Sequence, residues 1–485
     1  MPFEGPALGG QPPPGSQPYA VLHFGRTGRA AVLDEVLRKL EENDIQRIKV
    51  AGFDVDGVLR GKYISPTKFS SAASDGFGFC DVIFGWDCAD ALYDQSRVTG
   101  WHTGYPDTLA RIDLGSFRLV PWEKQTALFL VDFMKDAQTP LSVSPRQVLQ
   151  RIIERSLAMG FVPKASCEYE FFFFKETPQS LHQKGFNNLE TLTPGMFGYS
   201  VLRASAQTDL IEEIVRQMKA YDCEVEGIHT ETGPGVFEAA LHYDDLLRAA
   251  DRAALFKTGI KEIASRHGLT ACFMAKWNKD LPGCSGHLHQ SLWDRKTRAP
   301  AFADGPRGRS GLSKTLESYI AGQCSLMRET TALIAPTINS YKRMVPGTWA
   351  PTHVAWGVEN RTTALRVITG PSAKATRVEY RLAAADINPY IALAASFGAG
   401  LWGIEKALEP PPPVSGNAYT QTADSATPLP RSLEEAAGLL DRSEAAREIL
   451  GAEFVDHYVM TRRWEAAQFQ RAVTGWELSR YMEII

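Results

Sequence analysis

Paired cysteines, blocks of one charge sign and long apolar runs are all missing from this 485-residue chain. Its seven cysteines (Cys80, Cys88, Cys167, Cys223, Cys272, Cys284, Cys324) are scattered and odd in number, with no C-x-x-C pair. That excludes a zinc knuckle or a disulfide framework and predicts reduced thiols. The formal net charge is −4, with neither a basic arm nor an acidic tail, so no nucleic-acid partner is expected. No apolar stretch reaches the roughly 20 residues of a membrane span. The opening MPFEGPALGGQPPPGSQPYA is rich in Pro and Gly and lacks the basic and apolar regions of a signal peptide. Neither a P-loop G-x-x-x-x-G-K-[ST] nor a G-x-G-x-x-G is read in the chain, so a nucleotide would have to be held in another way. Together these absences predict a cytoplasmic protein without a membrane or nucleic-acid partner.

What is present is an ordinary globular composition, 44% hydrophobic and 22% charged, on a chain long enough for more than one domain. Residues 1–28, with Pro12-Pro13-Pro14, read as a disordered leader. Val32, Val36, Leu37 and Leu40 recur at helical spacing. RIKVAGFDV and VLRGKYI then alternate like strands around an Asp56-Gly57 turn, and 127–133 reads as another strand. A small sheet-containing domain over 29–136 follows from these. Ser144-Pro145 opens a helix, and 137–485 mixes strands (163–174, 223–229, 269–277, 284–293, 375–382) with helices (205–220, 243–267, 313–335, 389–408, 453–472). Residues 411–431 read as an exposed loop after the Pro410–Pro413 break.

The chemical signal is charge at spacing two inside apolar strands. In ASCEYEFFFF, Glu168 and Glu170 must share a face of a strand that otherwise reads as buried. His287 and His289 do so in GCSGHLHQSL, and Arg377, Glu379 and Arg381 in TRVEYRL. HTETGPGVFEAA sets Glu231 and Glu238 on either side of a Gly-Pro-Gly turn. Each pattern alone is commonplace on a solvated strand. Four together are not, because buried carboxylates are costly unless paired or bound to metal. Five glutamates and a histidine, without thiolate, suit a hard cation such as Mg²⁺ or Mn²⁺. Arginines beside such a site suit phosphoryl oxygens, which points to metal-dependent phosphoryl transfer.

From about residue 45 to Ile485 the chain resembles the glutamine synthetase superfamily, bacterial type I. The resemblance rests on EYEFFFF, the G-x-x-S-G-H-x-H-x-S-L run, NSYKRMVPG, NRTTALR, KATRVEYR with DINPY, and the terminal ELSRYMEII. It implies an α+β fold: a β-grasp N-terminal domain and a catalytic domain with a curved antiparallel sheet flanked by helices. It implies active sites between subunits of a homo-oligomer, a dodecamer of two rings. Glu170, Glu231 and Glu238 match one metal site, and Glu168, His287 and Glu379 the one that holds the ATP phosphates. Arg343 and Arg381 match positions binding glutamate and the transferring phosphoryl group, and Gly283 one that touches glutamate. Arg361, Arg366, Arg377, Lys374 and His289 match nucleotide and phosphate contacts, and Glu226 and Ser291 the surroundings of adenosine. The implied reaction is two-step, through a γ-glutamyl phosphate.

Three departures carry information. The flap reads VPGTWAP, with Trp349 where the family has a glutamate that binds ammonium and takes its proton. Pro282 replaces an asparagine before Gly283, and Val236 replaces a glutamine after Pro234-Gly235. The acid that a neighbouring subunit gives to the ammonium site is assigned to Asp87 in FGWDCAD. Tryptophan cannot deprotonate ammonium, but it packs against alkyl or aromatic groups. The expected nucleophile is therefore an organic primary amine, hydrophobic rather than polyamine, on the glutamate–amine ligase branch. Ammonia-dependent glutamine synthesis and a catalytically silent homologue are the alternatives. Tyr419 aligns with a loop tyrosine adenylylated in some relatives, but NAYTQT departs from those surroundings and that regulation is not expected.

Overall fold

The computed structural model describes residues 26–303, 308, 311–420 and 427–485. The expected leader lies outside the described residues up to residue 25, and a helix runs over Arg26–Glu42. The hairpin around Asp56-Gly57 is formed by β1 (Arg47–Phe53) and β2 (Leu59–Ile64), and its sheet is completed by β3 (Phe77–Cys80), β4 (Asp107–Ile112), β5 (Arg118–Leu119) and β6 (Thr126–Met134). The strand order is β2-β1-β6-β4-β3, with β5 added on β6 and only β1–β6 parallel. Helix Pro66–Asp75 starts with Ser65 accepting the Lys68 N–H, and its Phe69 ring packs 4.6 Å from Phe129 of β6.

The second sheet opens with β7 (Phe161–Phe174), β8 (Val225–Thr230), β9 (Val236–Leu241), β10 (Asp244–Asp245), β11 (Thr270–Cys272) and β12 (Gly286–Asp294). Past β13 (His353–Val354), which pairs outside it with Thr427–Pro428, come β14 (Trp356–Val358), β15 (Leu365–Ile368) and β16 (Arg377–Tyr380). The order is β14-β15-β16-β12-β7-β9-β8, with β10 and β11 also on β7. This is the curved, largely antiparallel sheet of the expected α+β class. Helices Pro145–Ala158, Leu246–Arg266, Lys314–Ile334 and Pro389–Glu405 flank it.

β7 explains why the sheet has two characters. Cys167, Tyr169 and Phe171 are at most 1% exposed, while Ser166, Glu168 and Glu170 between them are only partly covered. The first set packs on the helix layer, where the Tyr169 ring stacks on Phe256. The second set faces the concave side. Alternation along one strand thus divides hydrophobic core from polar site.

Most expected elements recur within a few residues. The strand expected over 269–277 stops at Cys272, because the chain turns away there to form the loop carrying Lys276 and Gly283. The helix expected over 205–220 is split into Val201–Ser205 and Thr208–Ala220. The expectation that the chain holds no G-x-G-x-x-G is corrected: GAGLWG stands at 398–403, inside the helix Pro389–Glu405 and not at a strand–helix turn. Its glycines serve packing: a Cβ at Gly403 would lie 2.2 Å from the Ser318 carbonyl of the crossing helix. It is no phosphate loop.

Two of the contacts that tie the β1–β2 turn to the rest of the chain come from helices. The Asn388 amide caps helix Pro389–Glu405 and donates to the Asp54 carbonyl, 3.0 Å away in the β1–β2 turn. Buried Arg462 reaches the same turn, pairing with Asp56 and donating to the Pro336 carbonyl at 2.7 Å.

Candidate active site

Strand register assembles the site. Across β9, β7 and β12, Glu238 stands opposite Glu170, and Glu168 opposite His287. One strand further, His289 stands opposite Glu379, and Glu379 opposite Arg366 of β15. Cross-strand partners share a face, so these side chains converge on the concave side.

Their contacts form a chain. Arg377 Nε donates to His289 Nδ1 at 3.1 Å, which leaves His289 Nε2–H to donate to Glu168 at 3.0 Å. Glu379, 2% exposed, receives Arg381 on one oxygen and Arg366 on the other, the latter at 3.1 Å. Burial would raise its pKa, but His287 and Arg381 outweigh that and hold it at about 2. Glu168 is likewise driven below the usual carboxylate range: its burial opposes this, but the hydrogen bonds from His289 and Glu238 and the two imidazoles of His289 and His287 together outweigh it. Arg343 ends the short helix Ser340–Arg343 and donates to the Leu382 carbonyl at 3.1 Å, beside Arg381.

The other half of the site is crowded with like charge. Glu170 keeps one oxygen on the Ser285 N–H at 2.7 Å, and burial raises its pKa. Burial and the carboxylates of Glu168, Glu170 and Glu231 push Glu238 up to about 11. His229, Glu231 and Glu238 bring one nitrogen and two carboxylate oxygens within 4.8 Å of one another. His229 was missed in the sequence, although its H-x-E spacing to Glu231 repeats the spacing-two signal. The Tyr199 ring stacks on it, with centroids 4.3 Å apart.

The donor set fits divalent cations. Buried His287 has no hydrogen-bond partner on either ring nitrogen, and burial followed by Arg381 lowers its pKa to about 3, leaving a neutral ligand. Oxygen-rich surroundings without thiolate favour a hard ion.

The remaining expected residues lie around this array. Arg361 offers its carbonyl to Arg381 Nε at 3.1 Å. At Gly283 a Cβ would meet the Ala275 carbonyl at 2.4 Å and Arg343 Cγ at 2.9 Å, so only glycine permits this approach. Ser291 follows His289 on the same face and accepts the Trp293 indole N–H at 3.1 Å. Glu226 is the extra residue of a bulge in β8 and is exposed, and Lys374 lies in the turn Ala373–Ala375; neither makes a polar contact with the array among the described residues. Trp349 is 64% exposed on the flap with φ +60°, an uncommon conformation for a bulky side chain. Asp87 sits apart from the array. Its carboxylate caps Ala89 and Ala91 N–H groups and accepts the Trp464 indole at 2.9 Å, so within its own chain it anchors a loop.

A carboxylate–imidazole array backed by arginines on one face of a curved sheet is matched by comparison with known proteins. Residues 142–481 match the glutamine synthetase catalytic domain. The chain belongs to the glutamine synthetase family. It is 48% identical over 454 residues to type-1 glutamine synthetase 2 of Dictyostelium discoideum, covering 93% of this chain and 86% of that one. It is 41% identical over 447 residues to glutamate–isopropylamine ligase of a Pseudomonas species, covering 92% and 97%. A solved structure of apo GmaS superposes with a TM-score of 0.79 at 28% identity, over 92% of this chain and 99% of that one. This family is one of C–N ligases. Among the described residues no helix is long and apolar enough to cross a membrane.

Proposed function

We propose that this protein is a glutamate–amine ligase that couples ATP cleavage to joining the γ-carboxylate of L-glutamate to a primary organic amine. The observation that carries the reading is Trp349 on the flap beside an otherwise complete ligand array. The likeness to a glutamate–isopropylamine ligase supports it.

In the first step a γ-carboxylate oxygen attacks the γ-phosphorus of ATP and ADP leaves. In the second, the amine nitrogen attacks the acyl carbon, loses a proton and displaces phosphate. Arg343, Arg361 and Arg381 neutralise charge on the phosphoryl oxygens. Arg366, Arg377, Lys374 and His289 orient the nucleotide phosphates, Glu226 and Ser291 lie toward its nucleoside, and Gly283 admits the backbone end of glutamate. Mg²⁺ or Mn²⁺ ions would be held by Glu168, His287 and Glu379 and by Glu170, Glu231 and Glu238, with His229 alongside. When bound, such ions would supply positive charge that offsets the charge of the transferring phosphate. Trp349 gives the amine an apolar wall, suited to a small alkylamine or a weakly basic arylamine.

We place the enzyme in the cytoplasm as a dodecamer whose sites are completed by a neighbouring subunit. In that assembly Asp87, on the loop that reaches across, is the acid given to the neighbouring subunit's amine site. Ammonia-dependent glutamine synthesis is the second reading, favoured by the likeness to the Dictyostelium glutamine synthetase. A silent homologue is disfavoured by the retained ligands.

The test is phosphate release from ATP with glutamate and Mg²⁺, comparing ammonium, methylamine, ethanolamine, putrescine, isopropylamine and aniline. An organic amine is expected to exceed ammonium at least tenfold in kcat/KM. Best turnover with ammonium would overturn the proposal.

A further inference from the structure

The row of facing side chains that builds the site runs one strand beyond the expected ligands. On β8, His229 stands opposite Glu238 of β9, which stands opposite Glu170 of β7. Glu231 follows His229 at a spacing of two. Spacing along one strand and pairing across the next therefore bring the imidazole and the carboxylates to one face. His229 Nε2 lies 3.2 Å from Glu238 Oε1.

The other ring nitrogen fixes what Nε2 can do. His229 Nδ1 lies 3.1 Å from the Thr230 carbonyl, which can only accept, so Nδ1 carries a hydrogen. In the neutral imidazole Nε2 is then the lone-pair nitrogen, and it is the one beside Glu238. The Tyr199 ring lies against the imidazole with only 19° between their planes, which steadies the ring. A backbone carbonyl on one nitrogen and carboxylates around the other is the arrangement that orients metal-ligating histidines. His289 is placed differently. Arg377 donates to its Nδ1 and its Nε2 is engaged by Glu168, so neither nitrogen is left over.

We infer that His229 Nε2 is a direct ligand of the divalent cation held by Glu170, Glu231 and Glu238, giving that site a mixed nitrogen–oxygen donor set. The inference rests on the reading of those three glutamates as a metal site. It makes the two halves of the array alike, with His229 serving one ion as His287 serves the other. Its consequence is selectivity. An all-carboxylate site suits Mg²⁺, whereas an added imidazole favours ions later in the first transition row, such as Co²⁺.

The test adds Mn²⁺ alone to the full-length, metal-free protein and reads nitrogen coupling by electron spin-echo envelope modulation. His287→Gln removes the imidazole of the other half. Nitrogen coupling is expected to persist in His287→Gln and to vanish in His287→Gln/His229→Gln, with Mn²⁺ still bound. A second measurement needs no change at His287: Co²⁺ and Mg²⁺ are titrated calorimetrically into the wild type and His229→Gln. One class of Co²⁺ site should weaken about tenfold or more, and Mg²⁺ binding should change less than about threefold. A wild type that binds no divalent ion would sink the metal reading and this inference with it. Bound Mn²⁺ without nitrogen coupling in His287→Gln, coupling that survives in the double variant, or equal weakening of Co²⁺ and Mg²⁺ would overturn the assignment of His229 alone.

Discussion

Tyr419 donates its hydroxyl to the Ala350 carbonyl across 3.0 Å, so the turn Ala418–Thr420 holds the end of the flap that carries Trp349. The Ala418 N–H in turn bonds to Thr362 at 3.0 Å, next to Arg361. Tyr419→Phe removes one hydrogen bond, worth about 1 kcal/mol. The KM for the amine should rise about fivefold while that for glutamate stays put. Steady-state kinetics with each substrate varied checks this, and an equal rise in both would assign the bond to general stability.

Trp349 occupies the position that the family resemblance gives to an ammonium-binding glutamate. Trp349→Glu restores a carboxylate and removes the apolar wall. The ratio of kcat/KM for ammonium over isopropylamine is expected to increase tenfold or more, about 1.4 kcal/mol of discrimination. An unchanged ratio would remove Trp349 from amine selection.

Glu238 is crowded by Glu168, Glu170 and Glu231, which with burial keep it protonated well above neutrality. Glu238→Gln keeps the shape and the uncharged state of the side chain. The metal-free protein should melt no lower than the wild type, while Mn²⁺ affinity, followed by electron paramagnetic resonance, falls at least tenfold. Undiminished Mn²⁺ binding would take Glu238 out of the ligand set.

Lys257 is largely buried, donates to the Ile387 carbonyl at 2.7 Å, and has its pKa lowered to about 7 by burial and then by Lys261. In the unfolded chain it titrates at about 10.4. Between these values the unfolded chain binds a proton that the folded one does not, so stability falls as pH drops from 10 toward 7 and then levels off. Lys257→Met removes this dependence. Its melting advantage should be largest at pH 7, of order 1–3 kcal/mol, and vanish near pH 10. Melting curves at four pH values decide, and a constant difference would show that the amine is not desolvated in this way.

Much of the site was legible because strand periodicity is a local property. Glu168 with Glu170 and His287 with His289 announce a polar face in two residues, and register only has to bring the faces together. His229 escaped because a single histidine at the end of a strand has no periodic partner except Glu231, which already belongs to a turn. The break after Cys272 escaped for a different reason: 269–277 is apolar enough for a strand, and only tertiary bonds, such as Asn339 to the Lys276 backbone, pull it away. Conversely, the glycine string at 398–403 imitates a nucleotide motif, and only its place inside a helix dismisses it.

The two-faced strand β7 also limits how such an enzyme can change. Tyr169 lies between Glu168 and Glu170, so replacing a core aromatic shifts the backbone from which both carboxylates hang. Replacement of a carboxylate, in turn, disturbs the seating of the aromatics. The strand is a shared spine on which fold and chemistry cannot drift separately. The flap around Trp349 has no such double duty. New substrates are therefore acquired at the rim, by loops that can change one residue at a time, while the phosphoryl chemistry beneath them stays fixed.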